Sequence, residues 1–376
     1  MAEEDAPAEA DRVGHLPHPR ETRALYGQSA AEASFLEAWG AGRLHHAWLL
    51  TGPRGIGKAT LAYRIARRRL ASDDGGGLLE AAAPPETLDL PADHAVARRV
   101  AAGAEPRLFT LRRMADAKTG KLATRIRVDD VRRLKSFFQL TATDGGWRVA
   151  IVDAAEEMNG AAANAILKLL EEPPPRALLL LVSHAPARLL PTIRSRCRTL
   201  RLSPLGPADL AAALADAGVA PADDLDALAI LADGAAGEAA RLVEADGPKL
   251  YRRLVRLIAG APDMDRREMI AIADACAGRE KAEMFDLTLR LMDILLARLA
   301  RAGALGLASP AAPDEGAIFA KLAPDPAAAR AWADLASGIQ EKAARAQTVN
   351  LDPAMVMLDI FFMFDAAARK IRARPV

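Results

Sequence analysis

The chain has 376 residues with 50 Lys+Arg against 49 Asp+Glu, a formal net charge of +1, which excludes a protein that coats nucleic acid by bulk charge. Aromatic residues make up 4% and alanine is abundant, so a mainly helical protein packed with small and branched aliphatic side chains is expected. Two cysteines, Cys197 and Cys276, are too few for a disulfide framework or a thiolate zinc site, and the acidic N-terminus and short apolar runs carry neither a secretion signal nor a membrane span.

In chain order, residues 1–12 read as a disordered lead-in without apolar period. A helical pattern covers Tyr26–Trp39, a strand His46–Leu50, and a helix runs from Lys58 to about Leu70. Residues 73–106, rich in Gly, Ala and Pro, read as a poorly ordered insertion. After the turn Asp144–Gly145–Gly146 come a strand at Val149–Val152, a helix capped by Asn159 and ended by Pro173, and a strand at Leu178–Val182. This alternation predicts an α/β fold with a parallel, doubly wound sheet over residues 13–202. The strands then stop. Residues 203–259 read as a small helical lid, and residues 260–376 as an all-helical domain with helices near 264–277, 280–302, 326–347 and 353–371. In the last of these, Asp352 is placed to cap the helix and Pro353 to begin it.

The turn between the first strand and its helix reads Gly52-Pro53-Arg54-Gly55-Ile56-Gly57-Lys58, the G-x-x-x-x-G-K pattern of a phosphate-binding loop. Gly52, Gly55 and Gly57 let backbone N–H groups face a concavity, the helix start adds positive potential, and Lys58 brings a point charge. The Mg²⁺-binding hydroxyl of this pattern is missing, because Ala59 follows the lysine; Thr60 comes one residue further round the helix. Asp153 ends the second strand where a Mg²⁺-associated acid is expected, but Ala154 stands where a hydrolytic enzyme carries a glutamate, with Glu156 and Glu157 displaced. Binding of phosphate without turnover is the natural reading, with Gly52, Gly55, Gly57, Lys58, Thr60 and Asp153 as the candidate nucleotide-contacting residues. Residues 98–135 carry twelve basic residues against the four acids Glu105, Asp116, Asp129 and Asp130, which suggests either a path for a DNA backbone or a solvated helix face.

Four further segments make the chain resemble the AAA+ clamp-loader subunits of bacterial DNA polymerase III. They are Ile126–Arg132, Asn164–Pro174 with its Leu-Leu-Glu-Glu-Pro-Pro ending, Leu190–Cys197 with Ser195-Arg196-Cys197, and Asn350–Pro353. The resemblance implies a AAA+ domain, a lid and a helical collar that assembles a ring with the ATPase (gamma/tau) and delta subunits. Sliding clamp and primed DNA would be reached through the complex, in the cytoplasm and away from membranes. It implies that Arg196 is a finger reaching the γ-phosphate held by a neighbouring subunit, and that Glu238 stands where hydrolysing relatives carry a sensor arginine. Ser183 lies where a polar sensor is found, and is equally a hydroxyl satisfied by its loop. The zinc module of many relatives is absent from 73–106. The eroded loop beside an intact Ser-Arg-Cys resembles the non-hydrolysing members, for which no cofactor is required, weakly held ATP or ADP is the most expected, and no zinc; the alternative is an active gamma/tau-like ATPase relying on Thr60 and Glu156.

Overall fold

The computed structural model describes residues 9–12, 16–74, 84–115, 122–139, 146–219, 224–278, 281–306, 309–348 and 351–373. The chain forms two compact units, Met1–Val219 with Gly234–Glu238, and Ala220–Asp233 with Ala239–Val376.

The first unit contains α1 (Ser29–Gly40), β1 (Ala47–Thr51), α2 (Lys58–Asp74), α3 (Ala95–Ala101), β2 (Leu108–Leu111), α4 (Val128–Gln139), β3 (Arg148–Asp153), α5 (Gly160–Glu171), β4 (Ala177–Ser183), α6 (Pro191–Ser195), β5 (Arg198–Arg201) and α7 (Pro207–Asp216). The strands form one parallel sheet in the order β2-β3-β4-β1-β5, with Leu50 opposite Val182 and Val152 opposite Leu181. β1 and β4 are buried along their whole length, which is why they read as unbroken apolar runs. Side chains alternate between the faces. Trp48, Leu50, Ile151 and Leu180 join Phe35, Leu61 and Ile65 on one side; Leu49, Val152 and Leu181 join Leu134, Ile166 and Leu170 on the other.

The edge strands β2 and β5 are short, and in β5 only Leu200 is buried between Arg198, Thr199 and Arg201. Charged, half-solvated edges conceal the apolar alternation that marks a strand. The insertion read as poorly ordered is corrected over 84–106. There α3 is capped by His94, whose Nδ1 accepts the Val96 N–H at 3.2 Å, and Leu88, Val96 and Val100 are buried in the core. Two turns of helix are too short to show a period in the sequence; residues 75–83 lie outside the described ones. The disordered lead-in is corrected in the same way for Glu9–Arg12. Glu9 Oε1 accepts from Arg20 at 2.7 Å and from Arg112 at 2.5 Å, and Asp11 pairs with Arg112. Residues 1–8, and the turn residues Asp144 and Gly145, lie outside the described residues.

The second unit is built from helices: α8 (Leu225–Leu231), the greater part of α9 (Ala236–Glu244), α10 (Gly247–Ala259), α11 (Arg266–Ala275), α12 (Ala282–Leu305), α13 (Glu315–Leu322), α14 (Pro326–Thr348) and α15 (Pro353–Arg372). Trp332 of α14 stacks on Phe364 of α15 with ring centroids 4.4 Å apart. Asp352 caps α15 by accepting the Ala354 N–H at 3.3 Å, with Pro353 at its first position as the sequence predicts; Asn350 lies outside the described residues. Among the described residues no helix is long and apolar enough to cross a membrane.

Candidate functional site

The phosphate loop joins β1 to α2 because its glycines accept backbone shapes closed to other residues. Gly57 has φ +96°, and a Cβ there would lie 2.6 Å from Leu25 Cδ1; at Gly52 it would lie 2.7 Å from the Leu202 carbonyl oxygen. The loop opens on a cavity of about 390 Å³ within the first unit, lined by Gly55, Gly57, Lys58, Ala59, Thr60 and Asp153. Five of the predicted residues are thus brought together. Gly52 sits behind the cavity wall, where its carbonyl accepts from Lys58 Nζ at 2.7 Å; the Pro53 carbonyl accepts from the same ammonium.

Lys58 is 3% exposed, and burial pushes its ammonium down to about 8 although the Asp153 and Glu156 charges favour it. At the end of β3, burial pushes the Asp153 carboxyl up to about 7, helped by the neighbouring acid Asp11 and opposed by Lys58. Neither group is in ion-pair contact with an opposite charge among the described residues. Sequence reasoning missed Asp11, which also lines the cavity. Asp11 is held by fully buried His18, whose Nε2 lies 3.2 Å from its carboxylate and 3.2 Å from Arg112 Nη1. Nothing in the sequence signals a group whose members lie about a hundred residues apart. His184, also in the wall, is pushed down to about 4 by burial and the Lys58 charge, so its ring is neutral.

The acids beside Ala154 are engaged elsewhere. Glu156 Oε1 accepts the His184 and Ala185 N–H groups at 2.7 and 3.1 Å; burial raises its pKa, but backbone N–H groups, including that of His184, outweigh this and hold it below the usual range. Glu157 accepts from Arg113 at 2.6 Å. Ala154 itself is buried, and Glu156 does not line the cavity. Ser183 is fully buried opposite Thr51 at the end of β4. Glu238 is buried beside the loop, where the preceding amide, Gly237 N–H, donates to the Gly55 carbonyl at 3.1 Å. These residues fit the phosphates of a nucleotide; the hydroxyl and carboxylate that would serve Mg²⁺-assisted hydrolysis are not at their positions.

Arg196 lies outside this cavity, at the end of α6. Its Nη2 pairs with Glu171 at 2.9 Å, its Nη1 donates to the Thr192 carbonyl at 3.1 Å, and the side chain is 36% exposed. Ile193, one turn before it, is fully buried in the α5 face of the core and anchors the motif. Burial pushes the Cys197 thiol up to about 12, as suits a packed residue. Part of the basic run 98–135 is paired within the chain. Arg107 pairs with Glu105, Arg112 with Glu9 and Asp11, Arg113 with Glu157, Arg132 with Asp129 and Arg133 with Asp130. Lys118 and Lys121 lie outside the described residues.

Residues 27–206 match the family described as DNA polymerase III, delta subunit. The chain is 36% identical over 231 residues to DNA polymerase III subunit delta′ of Pseudomonas aeruginosa, covering 60% of this chain and 63% of that protein. It is 31% identical to subunit delta′ of Bacillus subtilis over 48% of each chain, and 31% identical to subunit gamma/tau of Mycobacterium tuberculosis over 51% of this chain and 30% of that one. The match thus spans less than two thirds of the length of each of these relatives. Among solved structures, a DNA polymerase III gamma subunit-related protein from Thermotoga maritima aligns with a TM-score of 0.35 at 17% identity, over 89% of this chain and 100% of that one.

Proposed function

We propose, from the match of residues 27–206 to the family described as DNA polymerase III, delta subunit, that the protein is the delta-prime subunit of the polymerase III clamp loader, a ring member that does not hydrolyse ATP itself. One observation carries the reading. Lys58, Ala59 and Asp153 line the cavity, but Ala59 and, next to Asp153, the buried Ala154 occupy the two positions where hydrolysis needs a hydroxyl and a carboxylate. Gly55, Gly57 and Lys58 would hold the phosphates of ATP or ADP weakly, and nothing in the role requires a cofactor or zinc. The ring would be completed by gamma/tau and delta subunits in the cytoplasm, with residues 260–376 as the collar and residues 203–259 as the lid. The half-exposed Arg196 is the group offered to a neighbour's γ-phosphate: a planar, permanently charged donor fits developing phosphoryl charge better than lysine would.

The test is phosphate release by the purified chain with Mg²⁺ and primed DNA present. No turnover above background is expected. A rate near ~1 s⁻¹, typical of working phosphotransfer enzymes, would replace this reading with that of a gamma/tau-like ATPase.

A further inference from the structure

A second cavity of about 320 Å³ lies in the first unit, between the segment before α1, the buried side of α2, and α3. Four guanidinium groups line it, from Arg23, Arg64, Arg67 and Arg98, against two carboxylates, Glu21 and Asp89. Each carboxylate already faces an arginine: Glu21 lies 3.7 Å from Arg20, and Asp89 2.8 Å from Arg64. Arg64 has a further partner in Glu32 at 2.8 Å. Arg67 is 6% exposed, yet among the described residues its guanidinium donates only to main-chain oxygens, the Arg20 carbonyl at 3.0 Å and the Thr22 carbonyl at 2.7 Å. Arg23, Arg67 and Arg98 have no carboxylate in ion-pair contact among the described residues.

A buried cation is ordinarily neutralised, because taking it out of water costs several kcal/mol per ion unless an opposite charge offsets it. Here burial, reinforced by the Arg64 and Arg23 charges, pushes Arg67 down to about 10. The cluster therefore repels itself and would gain from an added anion. Guanidinium forks match phosphate oxygens in pairs, and phosphate is the anion whose charge and size suit several arginines at once. The arginines deepest in the cavity, Arg64 and Arg67, are 7% and 6% exposed, so a continuous diester backbone cannot reach them, whereas a phosphate with free oxygens can enter.

We propose that this cavity, which shares Glu21 and Arg23 with the lining of the phosphate-loop cavity, is a second binding site for a terminal or free phosphate group, away from the loop itself and gripped by Arg23, Arg67 and Arg98. Two sources share that chemistry, a small inorganic anion and the 5′-phosphate end of a nucleic-acid strand.

The experiment titrates the full chain at low salt by calorimetry with inorganic pyrophosphate, with a 5′-phosphorylated oligonucleotide, and with the same oligonucleotide lacking that phosphate. Arg98 lines this cavity and not that of the phosphate loop, and it is exposed, so Arg98→Gln and Arg98→Glu leave the fold intact; circular dichroism checks this. Saturable binding of pyrophosphate, or of it and the phosphorylated strand, is expected. It should persist in Lys58→Ala, which removes the weak binding of the phosphate loop, and in that background weaken about tenfold on adding Arg98→Gln, as for one lost charge-assisted contact, and vanish on adding Arg98→Glu. Arg330→Gln, an exposed arginine of the second unit, should bind as the wild type does. Binding by pyrophosphate alone identifies the free anion as the source; binding by both admits the strand end. The proposal is overturned if nothing binds at millimolar concentration, if the unphosphorylated strand binds equally well, or if Lys58→Ala rather than the Arg98 variants abolishes binding.

Discussion

Each unit buries opposite charges, and the two sets are handled in opposite ways. In the helical unit, Glu315 of α13 is fully buried and fully engaged. It accepts from the Tyr251 hydroxyl at 2.5 Å, from Arg298 Nε and Nη2 at 2.9 Å each, and from the Ala311 N–H. Burial alone would lower the Arg298 pKa, but the Glu315 bonds and charge outweigh it and hold the guanidinium above its usual value. In the α/β unit, Lys58 and Asp153 are also buried, but Lys58 donates to the Gly52 and Pro53 carbonyls and neither group has an opposite charge in ion-pair contact among the described residues; both are displaced towards their neutral forms, to about 8 and about 7. A charge satisfied by its own fold is structural. A charge left frustrated in a cavity wall points to a ligand, and the same reasoning singles out Arg67.

The largest expected effect comes from breaking the satisfied set. Replacing Glu315 with Ala strands Arg298 and the Tyr251 hydroxyl in the interior, and a loss of about 3–5 kcal/mol is expected from removing one partner of a buried pair. Urea unfolding followed by circular dichroism measures it. A loss below about 1 kcal/mol would place Glu315 with weak surface pairs and dissolve the contrast.

The frustrated set should respond with the opposite sign. Below the unfolded pKa, 3.8 for an aspartate, both states hold the proton and Asp153 contributes nothing to the pH dependence. As pH rises, the unfolded chain ionises while the fold keeps its proton, so the carboxyl costs stability increasingly up to about pH 7 and constantly above it. Asp153→Asn should therefore stabilise the protein at pH 8 by up to about 4 kcal/mol, the energy of roughly three pKa units, less whatever Lys58 loses with its neighbouring charge. The gain should shrink to nothing below pH 4. Melting curves at pH 4 and pH 8 test this, and destabilisation at pH 8 would show that Asp153 is satisfied within the fold.

Legibility in the sequence followed the same division between local and assembled features. The phosphate loop was readable because its backbone demands glycine at fixed spacing, as Gly57 and Gly52 show. β1, β3 and β4 were readable because burial on both faces leaves their interiors as short apolar runs. β2, β5 and α13 were not foreseen: the two strands are short sheet edges, and α13 has eight residues, too few to show a period. The charge excess of 98–135 suggested an open path because its counter-ions, Glu9, Asp11 and Glu157 among them, come from elsewhere in the chain. The arginine cavity was invisible for the same reason, since three separate segments supply it.

The smallest expected effect on stability belongs to Arg196, which tests whether a residue can matter to function while costing the fold almost nothing. Its pair with Glu171 is substantially exposed on both sides, 36% and 46%, and such pairs contribute about 0–1 kcal/mol. The Thr192 carbonyl that it also contacts lies near enough to solvent for water to take over the bond. Arg196→Ala should accordingly leave the unfolding curve within about 1 kcal/mol of wild type. In a reconstituted loader the same substitution should depress DNA-stimulated ATP hydrolysis and slow clamp loading. A single trans arginine is worth on the order of 10³–10⁵ in rate where it acts alone, and several ATP sites in one ring would dilute the summed effect. Arg188→Ala is the control, being an exposed arginine just before the motif. Loading at the wild-type rate by both variants would make Arg196 a surface residue held by Glu171. A large loss of stability in Arg196→Ala would instead mean that the pair locks α6 against α5, and that the motif serves the fold of this chain rather than its neighbour.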